Sequence, residues 1–206
     1  MLVTTILKRV KIMYKTVEIF DSIQGEGSWV GKPVTFIRLF GCNCNCPFCD
    51  EPLHKESKNI TKLSAENILK LCKQKYVVIT GGEPSLNNIN PLIMYLQKHR
   101  KIVGVESNGY KYTNISSANL ATLSPKDYNT RPDGVWDNVK LLISTTRVNT
   151  IKKEINYWNL EGSKVFISAI NEKDSLNMLN NKLAYELCLK QGTTLSVQLH
   201  KILGVR

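Results

Sequence analysis

Four of the chain's six cysteines fall in one stretch, GCNCNCPFCD, at residues 41–50. Cys42, Cys46 and Cys49 make a C-x3-C-x2-C pattern, and Cys44 lies between the first two. Three chemistries use thiols crowded in this way: a zinc site, a redox pair or an iron–sulfur cluster. Zinc sites usually take four ligands, often as two C-x2-C units. Here Cys72 and Cys188 stand singly, and His54, His99 and His200 make no second pair. A redox pair of Cys46 and Cys49 leaves Cys42 idle. Three thiolates on one loop suit a [4Fe–4S] cluster, which four cysteines normally hold, with one iron open to an outside ligand.

The elements around this loop read as an α/β protein. Residues 16–23 and 34–40 are rich in β-branched and aromatic side chains, as strands are, and a Gly-rich loop, QGEGSWVGKP, joins them. Short apolar runs at 76–80, 102–107, 120–126, 138–144 and 164–170 are further strands, and 194–200 closes the chain. Helices are expected over 65–75, with Ser64 as cap, over 91–100, and from about Asp174 to Gln191. Strands alternating with helices argue for a parallel sheet. About six parallel strands are too few for a closed eight-fold barrel, so an open, partial (β/α) barrel is expected. In such folds chemistry collects where strands end, and TGGEP, ESNG and SPK all fall at those ends. Gly81 and Gly82 allow the first of these turns to approach a ligand closely.

C-x3-C-x2-C after one strand and GGEP after the next together resemble the radical S-adenosylmethionine (SAM) superfamily. That resemblance implies a [4Fe–4S] cluster on Cys42, Cys46 and Cys49, with the methionine part of SAM on the open iron. It also implies reductive cleavage of SAM to a 5′-deoxyadenosyl radical, which abstracts hydrogen. SAM contacts would come from Phe48 and Asp50, from Gly82 and Glu83 (facing the SAM ammonium), from Glu106, Ser107 and Asn108, and from Ser124, Pro125 and Lys126.

The longer frame IFDSIQGEGSWVGKPVTFIRLFGCNCNCPFCD, with TGGEP, ESNG, SPK and the terminal QLHKILGVR, is similar to the 7-carboxy-7-deazaguanine synthase family of deazapurine (queuosine-type) biosynthesis. The similarity spans about residues 16–206. It implies conversion of 6-carboxy-5,6,7,8-tetrahydropterin to 7-carboxy-7-deazaguanine with loss of ammonia, SAM being regenerated and Mg2+ assisting at the substrate carboxylate. Ile23, Gln24, Gly25, Glu26, Arg38, Thr80, Gln198, His200 and Arg206 are then the substrate-binding candidates. Gln24 and Glu26 suit the amide edge of a pterin. Arg38 would grip its carboxylate through a forked guanidinium, and His200, on the last strand, would reach the same pocket. The family commonly has CDT, with the Thr hydroxyl at Mg2+; here Glu51 and Pro52 follow Asp50, making Glu51 the magnesium candidate. Cys44 stands where the family is usually apolar and reads as a bystander. A homodimer and an electron donor such as flavodoxin also follow from the resemblance.

Length and composition agree with one enzyme domain over 1–206, with residues 1–15 as an N-terminal extension. The start, MLVTTILKRVKIM, has too short an apolar stretch and no cleavage site for a signal peptide, so a cytoplasmic home with reduced thiols is expected. No apolar run has the length of a membrane span. The net charge of +11 permits an anionic partner. Its 28 basic residues are scattered, however, which favours an anionic small-molecule substrate over direct nucleic-acid binding. Two other readings stay open on residues alone: a radical SAM activase acting on a partner protein, and a zinc-stabilised basic nucleic-acid-binding module.

Overall fold

The structure, a computed structural model, describes residues 11–50, 58, 60–129, 131–172 and 175–205. Nine strands are present: β1 (Met13–Ile23), β2 (Pro33–Leu39), β3 (Thr61–Ser64), β4 (Tyr76–Gly81), β5 (Ile102–Ser107), β6 (Leu120–Leu123), β7 (Asn138–Ile143), β8 (Lys164–Ala169) and β9 (Thr194–Ser196). Among the described residues five α-helices accompany them: α1 (Ala65–Leu71), α2 (Asn90–Lys98), α3 (Val148–Leu160), α4 (Met178–Gln191) and α5 (Leu199–Leu203). All nine strands join one sheet in the order β3-β1-β2-β4-β5-β6-β7-β8-β9. Neighbours from β2 to β9 pair in parallel, while β1 pairs antiparallel with both β2 and β3. The mostly parallel sheet agrees with the expected partial barrel.

Side-chain alternation gives the sheet two different faces. Ile37 and Leu39 of β2, Val77 and Ile79 of β4, Val103 and Val105 of β5, and Val139, Leu141 and Ile143 of β7 all enter the buried core. There they meet Ile68 of α1, Leu92 and Leu96 of α2, Ile151 and Trp158 of α3, and Ala184 and Leu187 of α4. The opposite parity includes Arg38, Thr80, Glu106 and Lys140, which line a cavity. One set of residues stabilises the fold and the alternate set is released for chemistry.

The loop between β1 and β2 packs across several strands. Ser28 Oγ donates to Asn138 Oδ1 at the start of β7 (2.8 Å), and the Gly27 amide donates to Ser196 Oγ on β9 (3.1 Å). Trp29 meets Tyr76 of β4 edge to face at 5.1 Å. It also lies so near Gly104 of β5 that a Cβ there would come within 2.7 Å of its ring. A single loop thus touches β4, β5, β7 and β9.

The elements depart from expectation in several places. β1 begins at Met13, inside the presumed extension, because Met13 to Thr16 find partners on β3. The strand expected over 120–126 stops at Leu123, before the SPK turn. α1 stops at Leu71, and its expected cap is present: Ser64 Oγ accepts from the Asn67 amide at 3.3 Å. α4 starts at Met178 behind an Asn177 cap, and Asp174 lies outside the described residues. β3 and α3 are additional elements. The largest correction is at the chain end. The ladder with β8 ends at Ser196, and residues 199–203 form a short helix closed by left-handed Gly204. His200 therefore sits on a helix, not on the last strand.

Candidate active site

The turn after β4 is fixed by its backbone. Gly81 has φ +117°, and a Cβ there would lie 2.3 Å from the Leu39 carbonyl oxygen, so no other residue fits. The Gly82 amide donates to Leu39 O (3.0 Å) and the Glu83 amide to Gly41 O (2.7 Å), tying GGEP to the start of the cysteine loop. Glu83 is 2% exposed. Its Oε1 accepts from the Ser85 amide (2.8 Å) and Ser107 Oγ (2.7 Å), and its Oε2 from the Asn108 amide (2.6 Å). A carboxylate offers about four acceptor sites. Three are taken by the protein, leaving capacity for one further donor.

ESNG is likewise joined to the cysteine loop, with Asn108 Nδ2 donating to Asn43 Oδ1 (2.9 Å) and contacting Cys44 Sγ (3.3 Å). Cys42, Cys46 and Cys49 line the cavity, and Cys44 lines it too. Burial, then the Cys42 and Cys46 thiols, push the Cys44 thiol up to about 11. Phe48, between two cysteines of the pattern, lies under the Arg147 guanidinium at 5.1 Å. Arg147 also covers Tyr128 and donates to the Lys126 carbonyl (2.7 Å), which links the cysteine loop to the SPK turn. Lys126 points into the cavity, where its Nζ donates to Ser124 Oγ (3.0 Å). Burial, reinforced by nearby Lys140, lowers its pKa from the usual lysine value. An anion would relieve that penalty.

The opposite wall comes from β1 and β2. Phe20 and Phe36 are direct cross-strand partners and stack at 5.3 Å. Arg38 pairs with Glu18 in the same register, its Nε 2.8 Å from Glu18 Oε1, and its guanidinium lies over Phe20. Arg38 is thus both a cavity-lining residue and one member of a cross-strand ion pair.

The remaining wall is a polar network. Lys140 Nζ donates to Glu26 Oε2 (2.7 Å) and Glu106 Oε2 (3.3 Å). Ser168 Oγ donates to Glu26 Oε1 (3.0 Å), and Gln24 Nε2 to Glu106 Oε1 (3.3 Å). Burial opposes the charge on Glu26, but Lys140, with the Ser168 hydroxyl and His200, outweighs it and holds the carboxyl below its usual range. His200 approaches the Gly25 backbone, where a Cβ would stand 2.1 Å from its Nδ1, and the Leu199 amide donates to Gly25 O (3.1 Å). Burial lowers the His200 pKa against the pull of Glu26, favouring the neutral ring. Gln198 lines the same space, with its Oε1 accepting from Asn171 Nδ2 (3.0 Å).

Most of these groups face one cavity of about 260 Å³. It collects every expected site residue except Gly25 and Pro125, which do not line it, and Glu51 and Arg206, which lie outside the described residues. The Radical SAM superfamily model matches residues 36–169, from β2 through the cysteine loop, GGEP, ESNG and SPK to the end of β8. A 7-carboxy-7-deazaguanine synthase from Rickettsia prowazekii is 33% identical over 91% of this chain and 86% of its own. One from Synechocystis is 31% identical over 95% of both chains. The chain belongs to the 7-carboxy-7-deazaguanine synthase family of the radical SAM superfamily. The crystal structure of QueE from Escherichia coli matches with a TM-score of 0.74 at 25% identity, over 91% of this chain and 95% of that one.

Family membership sets aside the zinc-module reading, and the donor set fits the cofactors of the superfamily. Among the described residues no three His, Cys, Asp or Glu side chains converge as on a single metal ion. Cys42, Cys46 and Cys49 instead line a shared wall, as suits a cluster whose irons each take one thiolate. Glu83 retains acceptor capacity and Lys126 is a half-buried cation; these suit the ammonium and carboxylate of a bound amino-acid group. Among the described residues no helix is long and apolar enough to cross a membrane.

Seven lining residues were missed by motif reading, among them Phe20, Phe36, Lys140 and Asn171. Lys140 carried a signal, as the charged residue inside the otherwise apolar run of β7, NVKLLI.

Proposed function

We propose that this protein converts 6-carboxy-5,6,7,8-tetrahydropterin to 7-carboxy-7-deazaguanine with release of ammonia. The observation that carries the reading is the union, in one cavity, of the three-cysteine loop with a cationic wall at Arg38 and an acceptor-rich wall at Glu26 and Glu106. A [4Fe–4S] cluster with SAM supplies, when bound, the one-electron chemistry that yields a hydrogen-abstracting radical. The chain's own residues bind and orient. Arg38 takes the substrate carboxylate through its planar guanidinium fork, beside its pair with Glu18. Gln24 and Glu26 read the amide edge of the pterin, with neutral His200 beside them. Glu83 would accept hydrogen bonds from the SAM ammonium, and Lys126 with Ser124 would hold its carboxylate. The stacked Phe20 and Phe36 exclude water from one wall.

Mg2+ at the substrate carboxylate belongs to the same proposal, with the Glu51 carboxylate as an oxygen donor suited to a hard cation. Glu51→Thr should then flatten the dependence of turnover on Mg2+ without abolishing it, and superimposable titrations would remove Glu51 from the metal. A one-electron donor such as flavodoxin, a homodimeric assembly and a cytoplasmic site of action complete the reading. Protein reconstituted anaerobically with iron, sulfide, reductant, SAM and Mg2+ should release one ammonia per 7-carboxy-7-deazaguanine formed. Cleavage of SAM with no deazaguanine from this pterin would refute the substrate assignment.

A further inference from the structure

Lys140 is a buried charge that neither motif nor cofactor accounts for. It lies in the middle of β7, with its side chain 11% exposed, between Glu26 and Glu106, whose side chains are 15% and 19% exposed. Its two partners come from distant parts of the chain, Glu26 from the β1–β2 loop and Glu106 from β5, and Ser168 of β8 donates in turn to Glu26. Apolar residues of similar size often replace such buried ion groups at no cost in stability. A triad kept on a cavity wall therefore points to a ligand.

The chemistry of the triad is specific. A lone lysine would make this wall a donor and a cation. Two carboxylates and one ammonium instead carry one net negative charge, and the ammonium's bonds hold each carboxylate in place. Ionised carboxylates only accept hydrogen bonds. Arg38, on β2, gives the cavity a cationic feature on a different strand. A ligand with a carboxylate at one end and ring N–H groups at the other then has one favourable orientation.

We propose that Lys140 is a specificity-determining positioning residue: it holds Glu26 and Glu106 as a fixed pair of ionised acceptors for the ring N–H donors of the substrate. This rests on the pterin carboxylate reading of the cavity. The groups facing Lys140 and its partners are Glu26 and Gln24 from the β1–β2 loop, Glu106 on β5, Lys126 after β6, Ser168 on β8 and His200 on α5. Without the ammonium, two half-buried carboxylates on one wall repel each other, which favours a proton shared on the pair at lower pH. A protonated carboxyl donates where an acceptor is needed, so recognition fails at low pH and recovers as pH rises.

The test compares wild type, Lys140→Met and Lys140→Arg, each reconstituted with cluster and checked for iron content. Steady-state kinetics with 6-carboxytetrahydropterin are measured from pH 5.5 to 8.5. For Lys140→Met, KM should rise by at least about tenfold. The ratio of its kcat/KM to that of wild type should climb with pH, while iron content matches wild type. Lys140→Arg keeps the charge and should hold KM within about threefold. A wild-type KM and a flat ratio in Lys140→Met overturn the proposal, as does a Lys140→Arg as impaired as Lys140→Met. If Lys140→Met does not fold, the charge-balanced Lys140→Gln/Glu106→Gln replaces it: a raised KM without the climbing ratio is expected, and an unchanged KM overturns the proposal. Absence of turnover in wild type would instead refute the substrate reading itself.

Discussion

At Gly25 the absence of a side chain is what lets the β1–β2 loop and α5 meet. His200 Nδ1 occupies the place of a Cβ, and Leu199 bonds to the Gly25 carbonyl. Gly25→Ala must push His200 aside, and a displacement of about 1 Å in a positioned group can cost roughly 100-fold in rate. The variant should lose about ten- to 100-fold in kcat/KM and keep its iron; unchanged kinetics would show that His200 does not act in the pocket. Cys42→Ala, Cys46→Ala and Cys49→Ala should each lose the iron–sulfur absorbance, whereas Cys44→Ala should retain it. Full activity in any of the first three, or loss of iron in the fourth, would mean that the ligand set is different. The cysteine set was legible in sequence because its members are neighbours with a fixed spacing. Lys140 was not, because its partners stand 114 and 34 residues away and only the folded sheet unites them.

At the scale of elements, strands that end in polar turns were readable because apolar runs and Gly or Pro punctuation coincide there. α3 was harder. Val148, Ile151, Ile155 and Trp158 do recur at helical spacing, but the helix has no side-chain cap and no acidic first turn to announce it. It nonetheless supplies Ile151 and Ile155 to the core at 0% and 1% exposure. Ile155→Ala should cost about 2–5 kcal/mol, read as a lower Tm with the catalytic residues untouched. α5 was misread as strand because VQLH alternates, while the ladder that would hold it ends at Ser196. Docking of α5 also gives stability a pH dependence. Burial depresses the folded pKa of His200, so the unfolded chain takes up the proton first. Stability should therefore fall as pH drops through about 6.5 and level off below the folded pKa. His200→Gln should remove that part of the slope in chemical denaturation between pH 5 and 8, and parallel slopes would contradict the buried neutral ring.

For the whole molecule, the sheet gathers at one cavity what the chain distributes from Phe20 to His200. A partial barrel leaves room for the β1–β2 loop to reach β4, β5, β7 and β9, and that loop carries Gln24 and Glu26 into the site. The cysteine loop and the Arg38 and Glu26 walls thus share one space, where a bound cofactor and substrate would lie side by side. The most direct measurement is the yield of 7-carboxy-7-deazaguanine from 6-carboxytetrahydropterin by the reconstituted protein with SAM held limiting. Many equivalents of product per SAM, each with one ammonia, are predicted. Product that stops at one equivalent per SAM, or SAM cleavage without this product, would contradict the account.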